Sequence, residues 1–188
     1  MVIGFDLDGV IIDHTKNKIK KLRELGYNIR AEETSLEKLK SLISLDDYRI
    51  VQKFIYNEVT PIASPMRGAI KTISNLNKDY SLAIISRRRP ETRNIALDWL
   101  KEHGFLKFFK DNIYFVDSDD KKDTVARKLR IDAYIDDKLK VLKLLKNVPN
   151  KILFDPFDCF TVNEEDIKKI KNWQSLPTSL AYLLSVNS

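Results

Sequence analysis

The sequence predicts an α/β fold: a Rossmann-like parallel sheet with helices on both faces and a small helical cap inserted after the first strand. Three observations carry this expectation. Short apolar runs alternate with helical patterns along most of the chain. Several of those runs end in Asp or Ser, at the sheet edge where a parallel α/β fold collects its ligands. One block of about 50 residues breaks the alternation and holds helical patterns only, whereas βα connections commonly run about 2–6 residues.

The strand candidates are residues 2–5, 82–85, 113–116, 133–135 and 152–154, each short and rich in apolar or β-branched side chains. Between them, residues 68–77 place Ile70, Ile73 and Leu76 on one helical face, and residues 91–103 end at Gly104, a helix-stop signal. Residues 122–130 carry Val125, Ala126 and Leu129 at helical spacing, and residues 138–146 carry Leu139, Leu142 and Leu145. Such βαβ units pack as a parallel sheet covered on both faces. In the interrupting block, residues 16–25 stop at Gly26. Thr34 with Glu37 predicts a capping box ahead of Leu36, Leu39, Leu42 and Ile43, and residues 46–59 carry Ile50, Val51, Phe54 and Ile55. Residues 60–65 read as a return linker. The block is therefore expected to be a cap, residues 14–64, on a core of residues 1–13 and 65–188; the plainer alternative is a crossover built of several helices.

Composition narrows the function. A chain of 188 residues suits one domain with a modest insertion, and 43% hydrophobic residues exclude a disordered chain. No run approaches the roughly 18 apolar residues of a membrane helix, so no membrane partner is expected. The opening MVIGFDLDGVII lacks a basic n-region and places Asp-x-Asp inside its apolar stretch, which argues against export. Cys159 is the lone cysteine, which rules out an internal disulfide and suits a reducing, cytoplasmic setting. The net charge of +6 is spread over a mixed surface, and Arg87-Arg88-Arg89 is its one tight basic cluster. No zinc-finger spacing or aromatic–basic RNA signature accompanies it, so no nucleic acid polymer is expected; the oligomeric state is left open.

Four strand ends carry groups suited to one reaction. In Asp6-Leu7-Asp8-Gly9-Val10 the two carboxylates, at i and i+2 of an extended segment, face one small volume. Gly9 lets the backbone turn and brings amides toward an anion, and a hard ion such as Mg2+ relieves the repulsion between the carboxylates. Ser86 follows the second strand and offers a hydroxyl; by itself it would be an N-cap. Lys122 opens a helix after the 117–120 loop and can neutralise a nucleophile and a transferring phosphoryl group; by itself it would be a solvated lysine. Asp136-Asp137 ends the fourth strand and can complete a metal site, or simply form a turn.

Taken together and in this order, Asp6-Leu7-Asp8-Gly9-Val10, Ser86, Lys122 and Asp136-Asp137 resemble the haloacid dehalogenase superfamily across essentially the whole chain. The resemblance implies that Asp6 attacks phosphorus and forms an aspartyl-phosphate, while Asp8 protonates the leaving oxygen and then activates water. It implies Mg2+ held by Asp6, the Asp8 carbonyl and Asp136, with Asp137 supporting it or orienting Lys122. Ser86 and the amides near Gly9 would hold the phosphoryl oxygens, and Arg87 would contact a further substrate group. Asp at the position of Asp8 marks phosphatases and mutases in this superfamily, whereas dehalogenases lack it and ion pumps carry Thr. A short helical cap, Ile85-Ser86-Arg87, Leu97-Asp98-Trp99-Leu100 and Asn172-Trp173-Gln174 resemble the small nucleotidase-type branch, which often has Thr where Ser86 stands. Tyr48, Phe54 and Tyr56 are expected in the cap core rather than against a base. The expected function is a Mg2+-dependent phosphatase acting on a small phosphorylated metabolite, with a nucleoside monophosphate as the best single choice. A sugar phosphomutase and a non-catalytic binding module of the same fold are the alternatives.

Overall fold

The computed structural model describes residues 1–186, with side chains through Leu183. The chain opens with β1 (Val2–Phe5) and the two-residue β2 (Ile12–Asp13), then enters α1 (Thr15–Glu24), α2 (Leu36–Leu42) and α3 (Leu45–Lys53). A π-helical turn over Phe54–Val59 extends α3, and β3 (Ser64–Pro65) returns antiparallel to β2, pairing Ile12 with Pro65 and Asp13 with Ser64. The helical block thus leaves and rejoins the rest through adjacent strands. Then follow α4 (Ala69–Leu76), β4 (Ser81–Arg87), α5 (Arg93–Glu102), α6 (Leu106–Phe109), β5 (Ile113–Val116) and α7 (Lys121–Leu129). The chain finishes with β6 (Ala133–Asp136), α8 (Leu139–Leu144), β7 (Asn150–Phe154), β8 (Ile167–Ile170) and α9 (Leu176–Val186).

Six strands form one sheet in the order β5-β4-β1-β6-β7-β8, every pair parallel. Alternation along the strands divides the core into two layers. Ile3, Phe5, Leu82, Ile84, Ala133, Ile135, Ile152 and Phe154 join one cluster with residues of α4, α5 and α9, while Ala83, Ile85, Tyr134 and Leu153 join another with residues of α7 and α8. This is the doubly covered parallel sheet that the sequence predicts. Since β1 is central, with β4 on one side and β6 on the other, its carboxyl end lies where the winding reverses, the place at which such sheets bind ligands. Trp173 is buried against Phe5, with ring centroids 5.7 Å apart, and its indole N–H donates to the Val10 carbonyl at 2.9 Å. The C-terminal segment is therefore part of the core, and α9 packs on α4 and β8.

Local details differ from expectation. Ile70 and Ile50 are exposed; Ala69, Thr72, Ile73 and Leu76 make the buried face of α4, and Tyr48 and Val51 that of α3. The rest of each expected stripe is buried, Ile73 and Leu76 in α4 and Val51 and Ile55 in and just beyond α3, so only the isoleucine at its edge turns to solvent. The cap of α2 is Ser35, which accepts from the Lys38 N–H at 3.2 Å, while the Thr34 hydroxyl turns back to Ala31. The helix expected over residues 138–146 stops at Leu144. Strand β8 was not anticipated: its Ile-Lys-Lys-Ile sequence buries only the two ends, as suits an edge strand guarded by lysines.

Candidate active site

The turn after β1 shapes the site. The Asp6 N–H donates to the Ile135 carbonyl at 2.8 Å, continuing the β1–β6 ladder by one residue. The Leu7 carbonyl then accepts from Ile11 and Ile12, and the Gly9 N–H donates to Ile12, so the chain coils tightly past the first motif. Gly9 has φ of 87°, and a Cβ there would lie 2.3 Å from Asp137 Oδ2. Glycine both supplies the left-handed turn and admits the second acidic motif at close range.

Four sequence-predicted residues meet at this place. Lys122, essentially fully buried, sets its Nζ 2.8 Å from Asp136 Oδ2 and 3.0 Å from Asp6 Oδ1. The first contact is a well-formed hydrogen bond. The second is close but poorly aligned, which leaves Asp6 Oδ1 without a hydrogen-bond partner among the described residues. Asp137 Oδ1 is likewise buried and unpartnered, with Lys138 Nζ at 4.0 Å. Burial foremost, with help from Asp6, raises the Asp136 carboxyl to about 7 despite Lys122. Burial also raises Asp137. Burial alone would lower Lys122, but Asp136 and Asp6 overturn that and hold it firmly charged.

Asp8 belongs to a second network. Arg88 grips it with two nitrogens, Nε reaching Oδ2 at 2.9 Å and Nη2 reaching Oδ1, and His14 Nε2 lies 2.8 Å from Oδ1. Burial would raise the Asp8 carboxyl, yet Arg88 and then His14 drive it far below the usual carboxylate range. His14 is itself lowered, chiefly by burial, and its Nδ1 has no partner among the described residues. Beside them, the buried Lys18 of α1 is lowered by burial, with Asp137 the largest opposing influence.

Ser86 is buried near the end of β4, two residues beyond the Phe5–Ile84 pairing, level with the turn that carries Asp6 and Asp8. Arg87 turns outward and pairs with Asp119 at 3.0 Å. It also lines a cavity of about 750 Å³ between α3 with its π turn and the residues after β4. Tyr56 and Arg88 form part of that wall, with the Arg88 guanidinium 5.2 Å from the ring centre. Tyr48 is buried among apolar residues, and Phe54 is half-buried with Lys21 Nζ 5.0 Å from its ring centre. Tyr56 is thus the member of this aromatic set that reaches the cavity.

The cluster fits a hard divalent cation. Asp6, Asp136 and Asp137 can each aim one carboxylate oxygen so that all three lie within 4.8 Å of one another, and two of these residues carry an unpartnered buried oxygen. An all-oxygen, anionic donor set suits Mg2+. The Asp8 side chain lies outside this set, committed to Arg88 and His14.

Arg88 and His14 were missed in the sequence. The strand alternation offered a signal for Arg88: it stands at i+2 from Ser86, so a side chain on the same side of an extended segment was legible. The adjacent Arg87, the residue the sequence singles out, points the other way and pairs with Asp119. His14 gave no comparable signal, since its burial depends on how α1 folds back over the first motif.

Residues 1–181 match the profile of the family described as 5' nucleotidase, deoxy (pyrimidine), cytosolic type C protein. The chain belongs to that family. It is a hydrolase of phosphoric monoesters with the haloacid dehalogenase fold. Solved structures agree at the level of fold. A haloacid dehalogenase-like protein from Agrobacterium tumefaciens superposes with TM-score 0.68 at 17% identity, covering 97% of this chain and 98% of that one. A hydrolase of the superfamily from Deinococcus radiodurans, solved with phosphate and sodium, gives 0.66 at 16% identity, covering 97% and 95%. One from Bacillus subtilis, solved with magnesium, gives 0.65 at 16% identity, covering 95% and 97%. No curated protein matches the chain. Among the described residues no helix is long and apolar enough to cross a membrane.

Proposed function

We propose that the enzyme hydrolyses a small soluble phosphomonoester, a nucleoside monophosphate by preference, through an aspartyl-phosphate on Asp6. The observation that carries this is the Asp6 carboxylate: buried, 3.0 Å from the Lys122 ammonium, with one oxygen unpartnered beside Asp136 and Asp137. An oxygen so placed is desolvated and available to phosphorus.

Asp6 forms the new bond to phosphorus while the ester oxygen leaves. Asp8 delivers the proton to that oxygen, then takes one from the water that attacks the aspartyl-phosphate and releases inorganic phosphate. Because Arg88 and His14 hold both Asp8 oxygens, Asp8 gains its proton only as their grip loosens with substrate entry. Ser86 and the amides around Gly9 hold phosphoryl oxygens, and Lys122 offsets their charge. Mg2+, held by Asp6, Asp136, Asp137 and the Asp8 carbonyl, would supply the remaining positive charge opposite the phosphoryl group. The magnesium in the Bacillus subtilis relative supports this assignment. Residues 14–64 act as a cap: they leave and return through paired β2 and β3, next to Asp8 and Gly9, and form one wall of the cavity that takes the leaving group. Arg87, on that cavity, reaches a further substrate group. The family described as cytosolic and the lone cysteine support a cytoplasmic setting.

The test is kcat/KM for an aryl phosphate, nucleotides, sugar phosphates and a phosphopeptide, with Mg2+ and with EDTA, for the natural enzyme and Asp6→Asn. Hydrolysis that needs Mg2+ and vanishes in a folded Asp6→Asn protein is expected. A phosphopeptide preferred by tenfold would refute the cap argument. A sugar phosphate ahead of every nucleotide by that margin would refute the nucleotide assignment.

A further inference from the structure

The cavity beside Arg88 carries more positive charge than one phosphoryl transfer uses. Arg49 and Lys53 stand one helical turn apart on α3, and Arg87 and Arg89 come from the opposite wall after β4. Two of these four have partners: Arg49 with the exposed Asp46, and Arg87 with Asp119. No acidic group lies within ion-pair distance of Lys53 or Arg89 among the described residues, and neither side chain makes another polar contact there. The acids on the walls do not cancel them. Asp117 is taken by Arg93 at 2.7 Å and by Lys121 at 3.7 Å, which leaves Glu91. A cleft with like charges on facing walls concentrates its field and attracts an anion of matching span.

Position says which anion. Arg88 and Tyr56 form the inner wall of the cavity, and Arg88 grips Asp8 from behind it, so the cavity joins the place where the leaving oxygen is protonated once that grip loosens with substrate entry. Whatever lies along the cavity is therefore the leaving group, and the phosphate at Asp6 is not what these outer cations meet. At about 750 Å³ the space lies within the range for a whole small ligand. Arginine forks bind phosphate through paired N–H donors, and a phosphate's charge of about −2 matches several clustered cations better than a single carboxylate or a hydroxyl does.

We infer that the cavity is a second phosphate subsite, and that the favoured substrate is a nucleotide carrying two separate phosphates, such as a nucleoside 3',5'-bisphosphate. One phosphate is cleaved at Asp6 while the other sits among Lys53, Arg87 and Arg89. This rests on the phosphomonoesterase reading of Asp6 and goes beyond it, since nothing in that chemistry requires a doubly charged leaving group.

The experiment compares kcat/KM for matched pairs, a nucleoside 5'-monophosphate against its 3',5'-bisphosphate and glycerol phosphate against a glycerol bisphosphate, in the natural enzyme and in a Lys53→Ala, Arg89→Ala double variant. A 5'-phosphorylated oligonucleotide is run beside them. The expected result is a bisphosphate preference of at least about tenfold at low salt, shrinking with added salt and collapsing toward unity in the double variant. If the glycerol pair shows the preference while both nucleosides are inert, the second-phosphate subsite stands and the nucleotide assignment falls. Equal rates within every pair, a preference the double variant retains, or an oligonucleotide turned over faster than any bisphosphate overturns the inference. So does failure to cleave any phosphomonoester, which overturns the phosphatase reading with it.

Discussion

Lys122→Met removes the ammonium that lies between two buried carboxylates while keeping a long flexible side chain in its place. Lys122, Asp6 and Asp136 are all about 2% exposed or less, and the ammonium is 2.8 Å from one carboxylate and 3.0 Å from the other. Removing one member of a buried charge pair costs about 3–5 kcal/mol, because the partner is left desolvated and uncompensated. Here two partners are left, so the upper part of that range is expected. The loss should depend on pH in chelator. Asp136 is already raised to about 7 by burial, and the substitution pushes it further. A raised folded-state carboxyl contributes stability below the unfolded value, near 4, and that contribution is lost as pH rises through the folded value. The variant should therefore lose stability between about pH 4 and 8 more steeply than the natural protein, and Mg2+ should restore part of it by binding the native acids. Urea unfolding at several pH values, with EDTA or Mg2+, measures all three effects. Turnover should be undetectable throughout. A loss under about 1 kcal/mol, the value of a surface pair, would refute the idea that this ammonium holds the acids together.

Two further substitutions probe the neighbouring contacts. Gly9→Ala places a methyl 2.3 Å from Asp137 Oδ2 and forces a left-handed alanine, so stability should fall by about 1–2 kcal/mol and the Mg2+ concentration for half-maximal activity should rise; unchanged half-saturation would show that Asp137 takes no part in the metal site. Arg88→Lys keeps the charge and loses the two-pronged grip on Asp8, so kcat should drop by about tenfold or more in a folded protein; natural kcat in that variant would mean that the orientation of Asp8 does not matter.

Much of this architecture is written locally. The runs that became β1, β4, β5, β6 and β7 are apolar between polar ends, and Gly104 does close the helix before it, with φ of 72°. The acids Asp6, Asp136 and Asp137 and the cation Lys122 could be placed together because strand ends in a parallel sheet converge on one edge. What escaped depends on contacts remote in sequence. Strand β8 has no periodic signal and forms because β7 offers an unpaired edge. Arg88 and His14 become site residues only when residues after β4 and the start of α1 close on Asp8. The π turn over Phe54–Val59, which carries Tyr56 on the cavity wall, is a change of helical winding that composition does not announce.

The indole of Trp173 donates to the carbonyl of Val10 across 163 positions of sequence. Its ring also fills the space against Phe5 and Phe154, beneath the turn that carries Asp6 and Asp8. During synthesis the first motif leaves the ribosome long before Trp173 does. A ribosome-bound chain can build most of its sheet, yet the turn at Val10 lacks its anchor until that late tryptophan arrives. The order of that turn thereby waits on the arrival of Trp173, and a product truncated ahead of it lacks the anchor.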